Sequence, residues 1–302
     1  IVIMNRRHFI AQSVSASSLL LLQPTFAFSA ASKAKKLVIL HTNDVHSHID
    51  PFPKEDAKYS GQGGIARRAA VIEQVRRENE QVLLLDSGDI FQGTPYFNFF
   101  GGELEFKLMS MLGYDVATVG NHDFDNGVSG FLKHQEHVKF AFVNANYDLK
   151  SAGLKEVLKP YKIVNKGGLK IGIFGLGIDL NGLVEARNCE GVVYRDPVGI
   201  ANEIAAELKQ KHCDLVICLS HLGFSYRDNK ISDVKLAAQS ENIDLILGGH
   251  THTFLEKPTV IDNKIGKKVL VNQVGCYGLQ LGRLDYTFVE GSYDTSKTVI
   301  QL

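Results

Sequence analysis

The chain contains no tryptophan, so any surface that stacks a ring against a ligand must use its 17 phenylalanines or 10 tyrosines. It carries no net charge: 33 Lys and Arg face 33 Asp and Glu. No global field therefore draws it to duplex nucleic acid or an anionic membrane, and any preference for an anion must come from a local site. It also has no Cys-x-x-Cys pair, which argues against a zinc–thiolate cluster. The cysteines are Cys189, Cys213, Cys218 and Cys276. On a strand Cys213 and Cys218 would sit roughly 16 Å apart at about 3.3 Å per residue, too far for a disulfide. Buried free thiols are expected. No internal repeat or low-complexity linker interrupts the 302 residues, which suffice for one large domain with a sizeable core.

The first 31 residues read as export signal rather than fold. Arg6 and Arg7 precede Phe9 and Ile10, an apolar, serine-rich stretch follows over 14–22, and small residues cluster at Ala27, Ser29, Ala30 and Ala31. This is the pattern of a twin-arginine signal. Its apolar run is too short for a comfortable permanent anchor, and no cysteine near the expected cleavage region suggests a lipoprotein. The expectation is a periplasmic or secreted protein that starts at Met4 and folds, metal included, before transport. Residues 35–302 are expected to form the working domain.

Beyond residue 35, short apolar runs alternate with helical patterns. Runs at 37–40, 82–85, 116–119, 140–143, 171–174, 215–219 and 245–247 predict buried strands. Helical spacing marks 65–78 and, with Pro197 in its first turn, 197–211. After His252 the pattern turns β-rich, at 259–261, 269–272 and 281–288. The fold class expected is α/β, one domain of stacked sheets flanked by helices.

Function is read where polar residues end these runs. The first run leads to Asp44-Val45-His46, the second to Asp86-Ser87-Gly88-Asp89 and the third to Gly120-Asn121-His122-Asp123. Two later runs lead to Ser220-His221 and to Gly248-Gly249-His250-Thr251-His252. Carboxyl ends of neighbouring strands converge on one edge of an α/β sheet, so these clusters are expected to share a cleft. In Asp44–His46 and His250–His252 the residues are two apart, and on an extended segment both side chains of a pair would point one way. Asp89 adds an anionic oxygen, Asn121 a neutral one and His221 another imidazole. Mixed imidazole, carboxylate and amide donors suit Mn, Zn, Fe or Co rather than an all-oxygen calcium site. One such residue alone means little, since an Asp after a strand is usually a turn or cap. The ordered set is much more specific.

These blocks resemble the calcineurin-like metallophosphoesterase superfamily. Residues 41–48, 88–95, 120–125 and 272–278 resemble its 5′-nucleotidase branch in particular, and the likeness runs from about 36 to 290. The resemblance implies a four-layer α-β-β-α sandwich of two mixed sheets flanked by helices. It implies one divalent transition-metal ion on Asp44, His46, Asp89 and His252. A second would sit on Asp89, Asn121, His221 and His250, with Asp89 bridging. It further implies hydrolysis of phosphate esters, as a 5′-nucleotidase-like phosphomonoesterase or a 2′,3′-cyclic phosphodiesterase. His122 is expected to stabilise the transition state and Asp125 to orient its ring. Asp123 stands where the family more often has Glu, and little is expected to turn on it.

His41 is expected in the core or behind the site, and His48 near solvent or substrate. Arg67 and Arg68 are expected in surface or structural salt bridges, with an approach of one of them to phosphate as the alternative, and Asn144 and Asn146 in support of the metal ligands. His8, His134, His137 and His212 look unrelated to the site. Members of the 5′-nucleotidase family commonly carry a C-terminal domain that binds the nucleoside, and a chain ending near Leu302 leaves no room for one. Three expectations follow: generic small phosphate esters as substrates, a separately encoded specificity domain as partner, or a pocket built from loops such as 51–61 or 179–194. Two alternatives remain at this point, a thiosulfohydrolase-like sulfur-ester hydrolase and a non-catalytic metal-binding module.

Overall fold

The computed structural model describes residues 34–289 and 292–302. The export segment expected at 1–31 lies outside them. The strands are β1 (Lys35–Thr42), β2 (Val82–Asp86), β3 (Val116–Ala117), β4 (Ala141–Val143), β5 (Tyr147–Leu149), β6 (Leu158–Lys159), β7 (Tyr161–Lys166) and β8 (Leu169–Leu176). They continue as β9 (Val192–Tyr194), β10 (Leu215–Ser220), β11 (Leu245–Gly248), β12 (Thr259–Asp262), β13 (Lys268–Asn272), β14 (Gln280–Val289) and β15 (Ser292–Gln301). The helices are α1 (Ile65–Glu78), α2 (Pro95–Phe100), α3 (Glu103–Leu112), α4 (Gly127–Lys133), α5 (Ala152–Val157), α6 (Pro197–Gln210) and α7 (Asp233–Gln239).

One sheet has seven strands in the order β15-β14-β1-β2-β3-β4-β6, the other six in the order β12-β13-β11-β10-β8-β7. Both are mixed. β1, β2, β3, β4 and β6 run parallel, β14 pairs antiparallel with β1, and β15 pairs antiparallel with β14 at the edge. β8, β10, β11 and β13 run parallel between antiparallel β7 and β12.

Period-two alternation explains the layering. In β1 and β2, Leu37, Ile39, Leu83 and Leu85 point at the second sheet and meet Ile171, Ile173, Ile217, Leu219 and Leu247. Val38, Leu40 and Leu84 point the other way, onto Ile72 and Val75 of α1 and Phe106 of α3. From the second sheet Phe174, Val216 and Cys218 face outward onto Ala201, Ala205 and Leu208 of α6 and Leu236 of α7. Because both faces of the central strands are covered, their sequences are nearly continuous apolar runs. The result is a four-layer α-β-β-α sandwich. All four cysteines are free. No helix of the described residues is long and apolar enough to cross a membrane.

Helix ends are closed by specific contacts. Asn79 Nδ2 donates to the Val75 carbonyl at 2.9 Å, and Arg76 of α1 donates to the Leu112 and Gly113 carbonyls at the end of α3. The strand expected at 116–119 is shorter, because only Val116 and Ala117 pair before the chain turns into the site.

Candidate metal centre

Five strand ends supply the site, three from the first sheet and two from the second. Asp44 and His46 follow β1, Asp89 follows β2, and Asn121 and His122 follow β3. His221 follows β10, and His250 and His252 follow β11. Asp44, Asp89 and His221 have at most 1% of their surface exposed, and His46 and Asn121 are also buried.

The donors fall into two groups, Asp44 with His46 and His252, and Asp89 with His221 and His250. In each, one donor atom per residue lies within 4.8 Å of the others. In the first, His252 Nε2 is 3.4 Å and His46 Nε2 3.9 Å from Asp44 Oδ1. In the second, His221 Nε2 is 3.1 Å from Asp89 Oδ2. The same Asp89 oxygen lies 3.8 Å from His46 Nε2, so it reaches both groups. Asn121 Oδ1 is 2.9 Å from His250 Nδ1.

The imidazoles are oriented for a cation. His221 donates its Nδ1–H to the Ser87 carbonyl at 2.7 Å, and His46 donates its own to Phe91 at 3.2 Å. A carbonyl can only accept, so each ring turns its bare Nε2 toward the carboxylates. His221 Nε2 is buried without a hydrogen-bond partner, and His46 Nε2 faces His252 Nε2 at 2.9 Å. Lone pairs so arranged require protons or metal ions between them. With protons alone, burial works against charge on His221, yet Asp89 and then Asp44 more than offset it and hold the imidazole up at about 10. His252 behaves likewise: burial opposes charge, Asp44 outweighs it, and the ring is held up at about 10. Burial brings His250 down to about 4 and also lowers His46. A divalent cation would displace the protons that the carboxylates draw in. The donor set therefore fits transition-metal ions.

The D-x-H and H-x-H segments are not extended, contrary to the sequence expectation. Asp44, His46, Asp89, His250 and His252 all have φ between 49° and 72°. Side chains two apart converge because the backbone is left-handed at Asp44, His46, His250 and His252. This conformation is costly for non-glycine residues, and such strain gathers at functional sites.

His122 stands beside the donors, its ring 5.2 Å from that of His46. Its Nδ1 is 2.8 Å from Asp125 Oδ2, and this hydrogen bond raises its pKa. A cleft of about 370 Å³ opens over His46, His122 and His252, bounded by Gln92 and Gly93 on one side and Phe52 and Tyr277 on another. Tyr277 lies 4.4 Å from His48 and 5.9 Å from Phe52, and Tyr59 packs on Phe52 at 5.1 Å. Loop 51–61 thus brings its aromatics to the mouth of the site. Loop 179–194 contributes no residue to the lining of this cleft.

Several residues hold the donor residues without touching the cleft; sequence reasoning gave Asp123 little weight and passed over Asn43 and Gln273. Asp123 accepts from the backbone amides of Asp89, Ile90, Phe91 and Gly120 at 2.7–3.2 Å. It pins the Asp89 loop to the Asn121 loop. Asn43 donates to Asp44 Oδ2 at 2.6 Å and to the Gly275 carbonyl at 2.7 Å. Gln273 donates to Gly249 at 2.6 Å and accepts from the Thr253 amide at 2.8 Å, spanning the loop of His250 and His252. The usable signal was position: Asn43 and Gln273 stand beside strand ends, inside segments already singled out.

The weaker expectations divide. His41 is fully buried, its Nε2 2.8 Å from Asn272 Nδ2, and belongs to the core. Asn144 and Asn146 bond Tyr147, Gly177 and Arg195 rather than the metal donors. Neither arginine forms a salt bridge among the described residues. Arg67 donates to the Gly61 and Gly63 carbonyls, while Arg68 is buried with Nε and Nη1 unpartnered.

Comparison with known proteins agrees with this architecture. The 5′-nucleotidase of Crotalus adamanteus venom is 35% identical over 282 residues, 87% of this chain and 47% of its own length. The trifunctional nucleotide phosphoesterase of Bacillus subtilis is 34% identical, over 87% of this chain and 19% of its own length. The crystal structure of a 5′-nucleotidase precursor from Thermus thermophilus superposes with a TM-score of 0.80 at 32% identity, covering 88% of this chain and 54% of that one. The chain thus spans about half the length of the venom relative. The family model described as calcineurin-like phosphoesterase matches residues 37–254, which contain every strand end of the site, and the chain belongs to that family, with 5′-nucleotidases among its homologues.

Proposed function

We propose that the chain is a dinuclear metal-dependent phosphoesterase acting on nucleotides, with release of phosphate from a nucleoside monophosphate as the principal reaction. The carrying observation is Asp89, whose carboxylate reaches both donor groups beside the His122–Asp125 pair. Asp44, His46, Asp89 and His252 would hold one ion, and Asp89, Asn121, His221 and His250 the other. Two divalent cations there, of Mn, Zn, Fe or Co type, would supply a water acidic enough to attack at neutral pH and would offset phosphoryl charge.

The protein's own groups do the rest. Asp125 accepts from His122 Nδ1–H, so the other ring nitrogen is free to carry a proton into the cleft. As imidazolium, His122 stabilises a phosphoryl oxygen or protonates the leaving alkoxide. Phe52, Tyr59 and Tyr277 offer aromatic surface next to the reacting centre, which suits a nucleoside better than a small polar alcohol. The expected partner is therefore a nucleotide, and export is expected by the twin-arginine route. Asp125 and His122 also argue against a module that only stores metal, since storage requires neither.

The test is a substrate panel with metal analysis: adenosine monophosphate, 2′,3′-cyclic adenosine monophosphate, glycerol phosphate and S-sulfonated cysteine. Asp89→Ala should lose metal from both positions and lose turnover. His122→Ala should keep its metal and lose about 10²–10³ in kcat. Full turnover by either variant would refute the assignment, and preference for the sulfur ester would replace the phosphate reading.

A further inference from the structure

A second cluster of metal-type donors lies outside the cleft. Glu103 opens α3, His134 follows α4, and His137 closes the one-turn 3₁₀ helix Gln135–His137. One donor atom from each lies within 4.8 Å of the others. The two Glu103 oxygens divide between the rings: Oε2 is 3.9 Å from His134 Nδ1 and Oε1 is 3.7 Å from His137 Nε2. From the other side Glu136 Oε1 comes to 3.6 Å of the same His137 nitrogen. These separations exceed a direct hydrogen bond. They are close to the spacing of donors around one ion, roughly 3.4 Å for tetrahedral bonds of about 2.1 Å.

The frame is rigid. The His137 amide donates to the His134 carbonyl at 3.1 Å, and the His137 carbonyl accepts from Ser110 Oγ of α3 at 2.7 Å. Phe106 of α3 packs edge-on against Phe131 of α4 at 5.7 Å, both fully buried. His134 is 10% exposed in its side chain and His137 26%, so the rings are fixed yet reachable. His134 also lines a surface cleft of about 320 Å³, together with Phe100, Gly101, Asn126 and Lys133. The competitor is Lys107, which pairs with Glu103 one turn along α3. A solvent-exposed pair of this kind is weak and yields readily.

We propose that Glu103, His134 and His137 form a further metal site that takes a borderline transition cation such as Zn²⁺, with Glu136 or water completing the shell. Bound there, the ion ties the start of α3 to the segment after α4. His₂–carboxylate is a ligand set that zinc uses.

The experiment uses the full chain and Zn²⁺ alone. The protein is stripped with chelator, dialysed against ZnCl₂ and analysed for bound metal, and the rise in Tm with added Zn²⁺ is recorded. Binding to the folded state alone must raise Tm. The double variant His134→Ala/His137→Ala should hold one equivalent fewer than wild type. In an Asp89→Ala background, which removes the proposed catalytic pair, the remaining equivalent and its Tm shift should vanish on adding the two substitutions. Glu103→Gln keeps the helix start intact and should weaken the extra site at least tenfold, guarding against a folding defect in the double variant. Equal zinc content and equal Tm shift in wild type, double variant and Glu103→Gln would overturn the proposal. Loss in the double variant matched by no weakening in Glu103→Gln would overturn it equally, since the carboxylate would then play no part.

Discussion

The carboxylate of Asp123 accepts the backbone amide of Asp89 at 3.0 Å, although the two residues belong to loops after different strands. The same side chain takes three further amides, all buried. Asp123→Ala would leave these N–H groups without partners, at about 1–3 kcal/mol for each that water cannot reach. The variant should melt well below wild type. Metal affinity should fall about 10–100-fold, because Asp89 and Asn121 lose their common support. Asp123→Glu, which retains the charge, should recover part of both. Unchanged Tm and metal titration in Asp123→Ala would show that the amides find other acceptors.

Asp125 raises the pKa of His122 through their hydrogen bond at 2.8 Å. If protonated His122 assists the leaving group, activity falls on the alkaline side as that proton is lost. Asp125→Asn removes the charge that retains the proton, so the alkaline limb of kcat should move to lower pH while bound metal stays constant. A limb that does not move would assign it to another group.

His41 is wholly buried, and burial brings it down to about 3 from 6.5. The folded state therefore keeps it neutral where the unfolded chain would take up a proton. Its contribution to stability is intact above pH 6.5 and is lost as pH falls toward 3, at up to about 1.4 kcal/mol per pH unit. Denaturant melts of His41→Gln should show a shallower acid decline than wild type over that window. An identical slope would place the acid sensitivity elsewhere.

Tyr277 is part of the aromatic edge of the cleft, 5.7 Å from His252. Stacking a base on such a ring is worth about 1–3 kcal/mol. Tyr277→Ala should raise KM for adenosine monophosphate about tenfold or more and leave KM for glycerol phosphate nearly unchanged. Equal effects on both substrates would mean the ring shapes the site rather than reads the base.

The central strands were legible because both their faces are covered, which leaves apolar runs such as Leu37–Leu40 with no polar interruption. Among the edge strands β12 was legible at 259–261, but β7 and the short β5 were not. In β7 no residue is fully buried, and in β5 only three residues pair, so neither shows a run. The meeting of His221 and Asp89 was legible as a pattern, since each polar cluster follows an apolar run. The coiling of the backbone at Asp44 and His250 was not, because φ at a non-glycine residue leaves no mark on composition. Asp123 was seen and given too small a part. Its work is done on backbone amides, which are the same in every sequence.

The donors come from two separate sheets: Asp44, His46, Asp89 and Asn121 hang from one, His221, His250 and His252 from the other. Neither half carries a complete set. A chain in which only one sheet had formed could grip a cation only weakly. Tight uptake of metal thus reports that the two halves have docked, and during refolding it should lag behind the appearance of secondary structure and coincide with burial of the apolar seam between the layers.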